Sequence, residues 1–116
     1  MPPDENEEIR AKRFILVDEN GKECAALDAT PFGPELWMCG QNFKNVAKLT
    51  VSKDEAELVL SDENGTLRAL LAVGKDGLAL RLWDEKETLL AKLDALKKGP
   101  ALRLLDGNGS EIWAAP

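Results

Sequence analysis

A chain of 116 residues with 44% hydrophobic and 31% charged residues has the composition of a single soluble globular domain. Its formal net charge of -6 excludes the basic surface that nucleic acids and anionic membranes require, so we expect neither as a partner. No run of about 18 apolar residues predicts a membrane-spanning helix, and the acidic N-terminus does not resemble a secretory signal, so we expect a cytoplasmic location.

The first segments of the chain predict a tail followed by a β-hairpin. Residues 1–8 are too polar to join a core and predict a flexible acidic tail, which leaves residues 9–116 as a single domain. Within that domain, apolar residues alternate over 14–16 and again over 24–27, on either side of an Asp-Glu-Asn-Gly turn. The connection over 30–34 contains two prolines and a glycine, which predicts a surface loop.

The third hairpin, over residues 58–71, has the clearest turn signal. Asn64-Gly65 is the dipeptide that most favours a type I′ turn, because both of its central residues need a positive φ. That turn would pair Glu63 with Thr66, and further out Leu60 with Ala69. The second hairpin, over 36–49, carries Phe43 in place of the glycine, which predicts a different or longer turn there.

Residues 84–98 carry two conflicting signals. A capping-box pattern and leucines at helical spacing favour an amphipathic helix that Gly99-Pro100 would end. The spacing of the neighbouring hairpins, however, places a strand on the same residues. We favour the strand, because local propensity is weaker than the constraint imposed by neighbouring units.

The hairpins recur every 22 residues without insertion. Stepping from Asp62 by that period reaches Asp18, Gly40, Asp84 and Asp106, and each step keeps the same four apolar positions. The pattern predicts an all-β fold of about ten strands, in which five tandem 22-residue β-hairpin repeats stack as a meander or a solenoid-like array. A leucine-rich repeat is the competing interpretation, but its asparagine stands one position closer to the strand leucines.

With this register the chain resembles a group of uncharacterised bacterial tandem β-hairpin repeat proteins built of units of the form L-x-L-x-D-E-N-G-K-x-R-A-x-L. The matching segments are 14–27, 58–71 and 106–116. The resemblance implies a stacked-hairpin β fold and no particular activity.

The recurring apolar positions share one side of the predicted sheet, which we call the first face; the opposite side is the second face. We expect the core to lie on the first face and to contain Leu16, Leu27, Leu36, Leu49, Leu58, Leu60, Leu71, Leu80, Leu82, Leu93, Leu102 and Leu104. Leu60→Asp is then expected to unfold the chain by burying an unpaired charge.

The residues that support catalysis or metal binding are scarce. The chain contains no histidine and no glycine-rich nucleotide-binding motif, so we expect no enzyme activity, cofactor or metal. The acidic turns resemble the start of a calcium loop, but the twelfth position is Ala29 or Val73, and neither can bind an ion. Cys24 and Cys39 do not form a C-x-x-C motif; we interpret them as two small buried thiols, with a disulfide as the alternative.

The second face provides the functional hypothesis. It carries Trp37, Trp83, Leu90, Leu105 and Ile112, which make it too apolar for a solvated surface. We therefore predict a structural or protein-interaction module that self-associates as a dimer or trimer through these residues. The alternative is a small-ligand or carbohydrate-binding module that uses the tryptophans as stacking platforms.

Overall fold

The computed structural model describes residues 7–116, which form one antiparallel sheet of ten strands in chain order. The strands are β1 (Arg13–Val17), β2 (Glu23–Thr30), β3 (Gly33–Cys39), β4 (Val46–Val51), β5 (Glu55–Ser61), β6 (Leu67–Gly74), β7 (Gly77–Trp83), β8 (Leu89–Leu96), β9 (Gly99–Leu105) and β10 (Glu111–Ala115). The predicted all-β meander of tandem hairpins is confirmed. The described residues contain no helix, and so none that could span a membrane. Most of the predicted acidic tail, residues 1–6, lies outside the described residues.

The register repeats from strand to strand, as the 22-residue spacing predicts. Leu58 pairs with Leu71 and with Leu49, and Leu60 pairs with Ala69. Over residues 89–96 the chain is strand β8, paired with β7 and β9, so the repeat prevails over the local helical pattern. Antiparallel pairing of every neighbouring strand rules out the leucine-rich repeat.

The hairpin turns at one edge of the sheet differ from the predicted type I′ turn. In the third hairpin, the Gly65 N–H donates to the Asp62 carbonyl and the Asp62 N–H donates to the Thr66 carbonyl, both at 2.9 Å. Of the two residues of the Asn64-Gly65 pair, only Gly65 has a positive φ, at 82°. The loop therefore has three residues and ends in a glycine bulge, so the predicted pairing of Glu63 with Thr66 is wrong.

The aspartate that opens this turn explains the choice of turn. Asp62 Oδ1 accepts the N–H groups of Asn64 at 2.9 Å and Thr66 at 3.1 Å. Asp18, Asp84 and Asp106 accept the equivalent N–H groups in their own turns. A side-chain acceptor that satisfies two loop donors stabilises the three-residue loop, and Asn-Gly alone does not reveal this contribution.

The second hairpin closes with a longer turn, as predicted: the Gly40 N–H donates to the Asn45 carbonyl at 2.9 Å, so its loop has four residues rather than three. The Phe43 N–H donates to the Gly40 carbonyl at 2.9 Å, and Phe43 adopts a φ of 61°. Asn42 Oδ1 accepts the Lys44 N–H at 2.8 Å and so replaces part of the missing aspartate's role. The surrounding ladder thus imposes on Phe43 a conformation that L-residues usually avoid.

At the opposite edge of the sheet the connections are shorter than expected. Thr30 pairs with Gly33 and Ala29 pairs with Pro34, so only Pro31 and Phe32 form the loop predicted over 30–34. The later connections, after β6 and β8, likewise leave two residues between paired strands. None of the loops between β1 and β10 is long enough to fold back over the sheet.

The sheet is consequently a single layer. Its radius of gyration is 18.5 Å, whereas a compact chain of this length measures about 13 Å. The chain exposes 8813 Å² of surface, against about 6,200 Å² for a compact protein of this mass. Its extents of 63 × 36 × 21 Å describe a slab rather than a sphere.

The predicted core residues share the first face but are not buried. Nine of the twelve leucines are between 37% and 63% exposed, and the other three are half-buried. Among the described residues, only the side chain of Ala26 is buried, between Ile15 and Trp37 on the second face. The prediction of a buried core is therefore wrong for the single chain, because no second layer covers the leucines. The premise for unfolding by Leu60→Asp fails with it, since a carboxylate at this exposed position keeps its water.

Candidate interaction surface

The first face is built from three rows of residues that cross the strands. The middle row is Phe14, Leu27, Leu36, Leu49, Leu58, Leu71, Leu80, Leu93, Leu102 and Ala115. The second row is Leu16, Ala25, Met38, Ala47, Leu60, Ala69, Leu82, Ala91, Leu104 and Trp113. The third row is Ala29, Pro34, Val51, Ala56, Val73, Leu78, Ala95 and Pro100. Side chains in register on one face make cross-strand contacts, so each row forms a continuous apolar band.

None of the 28 positions in these rows carries a charge. Ten strands spaced by about 4.8 Å and three rows spaced by about 7 Å give a face of about 900 Å². Monomeric soluble proteins rarely expose contiguous apolar patches above a few hundred Å². The first face therefore has the size and chemistry of a contact surface.

The second row has a regular relief. Its odd-numbered strands carry Leu or Met and its even-numbered strands carry Ala, from Leu16 and Ala25 through Leu60 and Ala69 to Leu104. The pattern is broken at β10, where Trp113 stands opposite Leu104. Large side chains thus form ridges about 9.6 Å apart, with alanine grooves between them.

The second face is where the strand charges lie. Arg81 Nη2 lies 2.7 Å from Asp94 Oδ1, and both side chains are half-buried. Lys92 Nζ lies 3.8 Å from the other oxygen of Asp94. The Arg81–Asp94 pair joins β7 to β8, whereas Lys92 and Asp94 lie on the same strand, so the second face carries charge both along and across its strands, in contrast to the rows of the first face.

The structure brings together four of the five residues predicted as an interface. Trp83, Leu90, Leu105 and Ile112 lie on β7 to β10, on the same face of adjacent strands. Of these, only Ile112 is exposed, and the other three are half-buried by their neighbours. Self-association through this group stays a prediction.

Trp37 is separate from that group. It lies on β3 beside Ala26 and Lys48, four strands away from Trp83. Four strand spacings correspond to about 19 Å, so the two indole rings do not form one platform. A carbohydrate site that stacks one sugar on both rings therefore has no geometric basis, and single-ring stacking stays a prediction.

The two cysteines are neighbours across β2 and β3. The register that pairs Ala25 with Met38 places Cys24 opposite Cys39 when it is continued by one residue on each strand. Both thiols are free and half-buried, rather than buried as we expected. They line an open cavity of about 510 Å³ at the turn edge of the sheet, next to Phe43.

Two carboxyl groups near the third hairpin have shifted pKa values. Burial raises the pKa of Glu57, the neighbouring Glu55 raises it further, and Lys48 opposes this effect. Desolvation also acts to raise the pKa of Asp62, but the two backbone donors of its turn and the nearby Arg68 guanidinium outweigh it, and the net shift is downward. Arg68 Nη1 lies 3.2 Å from Asp62 Oδ2, so this shift reflects turn and strand contacts.

Among residues 7–116, no group of three or more His, Cys, Asp or Glu side chains is arranged to hold a metal ion. The Asp-rich turns use one carboxylate oxygen each for backbone donors, as described above. Comparison of the chain with models of protein families, with curated proteins and with solved structures found no match.

Sequence reasoning missed the first face as a functional surface, although a signal for it was present. Within residues 7–116 the strands and their short connections leave no segment long enough to form a covering layer. An apolar face without a covering segment has to be exposed or shared with another molecule.

Proposed function

We propose that this protein is a non-enzymatic structural or protein-interaction module that works in the cytoplasm and binds protein through its first face. The observation that carries the proposal is the exposure of an apolar face whose middle and second rows cross all ten strands without a charge; Lys12, opposite Ala29, stands at its edge beside β1. Covering this face removes apolar area from water, which is the main driving force for protein association.

The distribution of charge supports the same surface. In the strands, charged side chains stand on the second face, where they form cross-strand pairs such as Arg81 with Asp94. Interface centres are depleted of charge relative to the rest of a protein surface. The first face meets this description over its three rows.

The non-enzymatic part of the proposal is supported by residue chemistry. A general base or nucleophile needs a partner group that activates it, and the commonest such group is histidine. The chain has no histidine, and Ser52, Ser61 and Ser110 stand in or beside loops.

In-cell photo-crosslinking tests the proposed surface. A photoreactive amino acid replaces Leu49, which is exposed on the first face, or Thr50, its neighbour on the second face, which serves as the matched control. We expect crosslinked protein from position 49 in clear excess over position 50. Equal yields, or an excess from position 50, would overturn the assignment of function to the first face.

A further inference from the structure

We infer that the partner of the first face is a second copy of this chain, which packs face to face to form a two-layer β-sandwich with two-fold symmetry. This inference rests on the proposed function and names the partner. In the sandwich the leucine rows of both copies form one shared core, and the two charged second faces point outward to water.

The area available matches what a stable dimer needs. The first face offers about 900 Å² from each copy. A stable protein interface takes about 800 Å² from each partner. Sheets that pack face to face lie about 10 Å apart with interdigitating side chains, which describes the core missing from the single chain.

The charges favour an identical partner over a charged one. Each copy carries a formal net charge of -6, which opposes the association of two copies, and salt screens this repulsion more strongly the further apart the charges lie. The first face is neutral in all three rows, so the negative charges of the two copies stay on opposite outer surfaces. A strongly basic or acidic partner would find no counter-charge among these positions.

The relief of the second row supplies the specificity. The ridges formed by Leu16, Leu60 and Leu104 and the alanine grooves between them repeat every two strands, about 9.6 Å apart. A partner that fits must present ridges and grooves with the same spacing. A second copy of the chain does so when its strands are offset by one, because its leucine ridges then lie over the alanine grooves of the first copy. A two-fold interface uses the same patch on both subunits and so requires such self-complementarity.

Sedimentation equilibrium of the purified chain with reduced cysteines, over a range of micromolar concentrations, tests the pairing. The wild type should show a monomer–dimer equilibrium. Leu60→Asp places a carboxylate inside the shared core, on a central strand, and should weaken dimerisation by at least about 100-fold. Trp83→Lys, the control on the second face, should change the dissociation constant of the dimer by less than about threefold.

The opposite results overturn the inference in distinct ways. A wild-type mass of one chain throughout, or a trimer, refutes the two-fold sandwich. Loss of association with Trp83→Lys but not with Leu60→Asp moves the contact to the second face. If Leu49 crosslinks to a different protein in cells while the purified chain stays monomeric, the self-pairing fails and the proposed function stands.

A second measurement applies if Leu60→Asp loses the sheet signal in circular dichroism. Trp113 lies on the first face and is 50% exposed, so it reports burial of that face. In a Trp37→Phe, Trp83→Phe variant, its emission should shift to the blue and its acrylamide quenching should fall as concentration rises. Emission and quenching that do not depend on concentration would refute the sandwich.

Discussion

The two-residue connections allow a matched test of the sheet register with one methyl group. Gly77 and Gly99 each begin a strand after such a connection, with φ values of 131° and 123°. A Cβ at Gly77 would lie 2.2 Å from the Ala95 carbonyl oxygen, because β8 runs alongside at that point. A Cβ at Gly99 would have no neighbour within 4 Å, because β10 ends its pairing at Leu102.

The difference between the two sites sets the expected magnitudes. Both Gly→Ala substitutions force an L-residue into a backbone region that favours glycine, which costs about 1–3 kcal/mol. At Gly77 the new methyl group must also displace the backbone of β8, and overpacking of this kind costs about 1–3 kcal/mol more. We therefore expect Gly77→Ala to lower the free energy of unfolding by about 1–3 kcal/mol more than Gly99→Ala does.

Urea denaturation followed by circular dichroism measures this difference, with all proteins at one concentration, because association would add to the stability. Gly33→Ala provides a second crowded site, where the Cβ would lie 1.9 Å from the Val51 carbonyl oxygen. If Gly77→Ala and Gly99→Ala lower the stability equally, the register of β7 against β8 is wrong.

Three further predictions concern single turns and pairs. Glu87 holds a φ of 69° at a turn position where the first, third and fifth hairpins have glycine, so Glu87→Gly should raise the free energy of unfolding by about 1 kcal/mol. The control Glu85→Gly, at a loop position without a positive φ, should not raise it. Mild oxidation should form a disulfide between Cys24 and Cys39 within one chain. Both free thiols should then be lost without a disulfide-linked dimer on a non-reducing gel. Thiols that stay free would contradict the continuation of the β2–β3 register to these residues. Folding lowers the pKa of Asp62, so its charge stabilises the fold at pH values above the ordinary pKa, and this stabilisation is lost as the pH falls through the lowered pKa. The loss of unfolding free energy in Asp62→Asn, measured by urea denaturation, should therefore be largest at neutral pH and vanish in acid. A loss that does not depend on pH would contradict this prediction.

The strand pairing could be predicted from the sequence because the repeat has no insertion. Once Leu58 is matched with Leu71, the 22-residue period places every other pair, including the strand over 89–96 that local propensity disfavours. A one-residue slip would move the leucines to the charged face, so the period and the alternation specify one register.

The turn chemistry could not be predicted as well. Asn-Gly favours a two-residue turn, but the side-chain acceptor of Asp62 makes a three-residue loop better satisfied. Phe43 takes a positive φ because the ladders on both sides leave it no alternative, and that constraint is tertiary.

The sequence interpretation considered only the second face as a candidate surface, for a related reason. We expected the leucines to be buried and therefore searched the second face for exposed apolar residues. Burial depends on a second layer, and the alternation of side chains only states which residues would share it. The connections between the ten predicted strands are each too short to form a second layer, and this observation would have identified the first face as a candidate.

The chain order of the strands has a consequence for how the protein folds. Each strand pairs only with the strands next to it in sequence, so contacting residues are separated by short stretches of chain, as Leu58 and Leu71 are. The relative contact order is accordingly about 0.1, a value found among helical bundles and well below those of most β-sandwiches and barrels. Loop closure then costs little entropy at any step, and a hairpin formed anywhere along the chain can extend strand by strand in both directions. We expect this all-β chain to fold within milliseconds, ahead of any encounter between two copies.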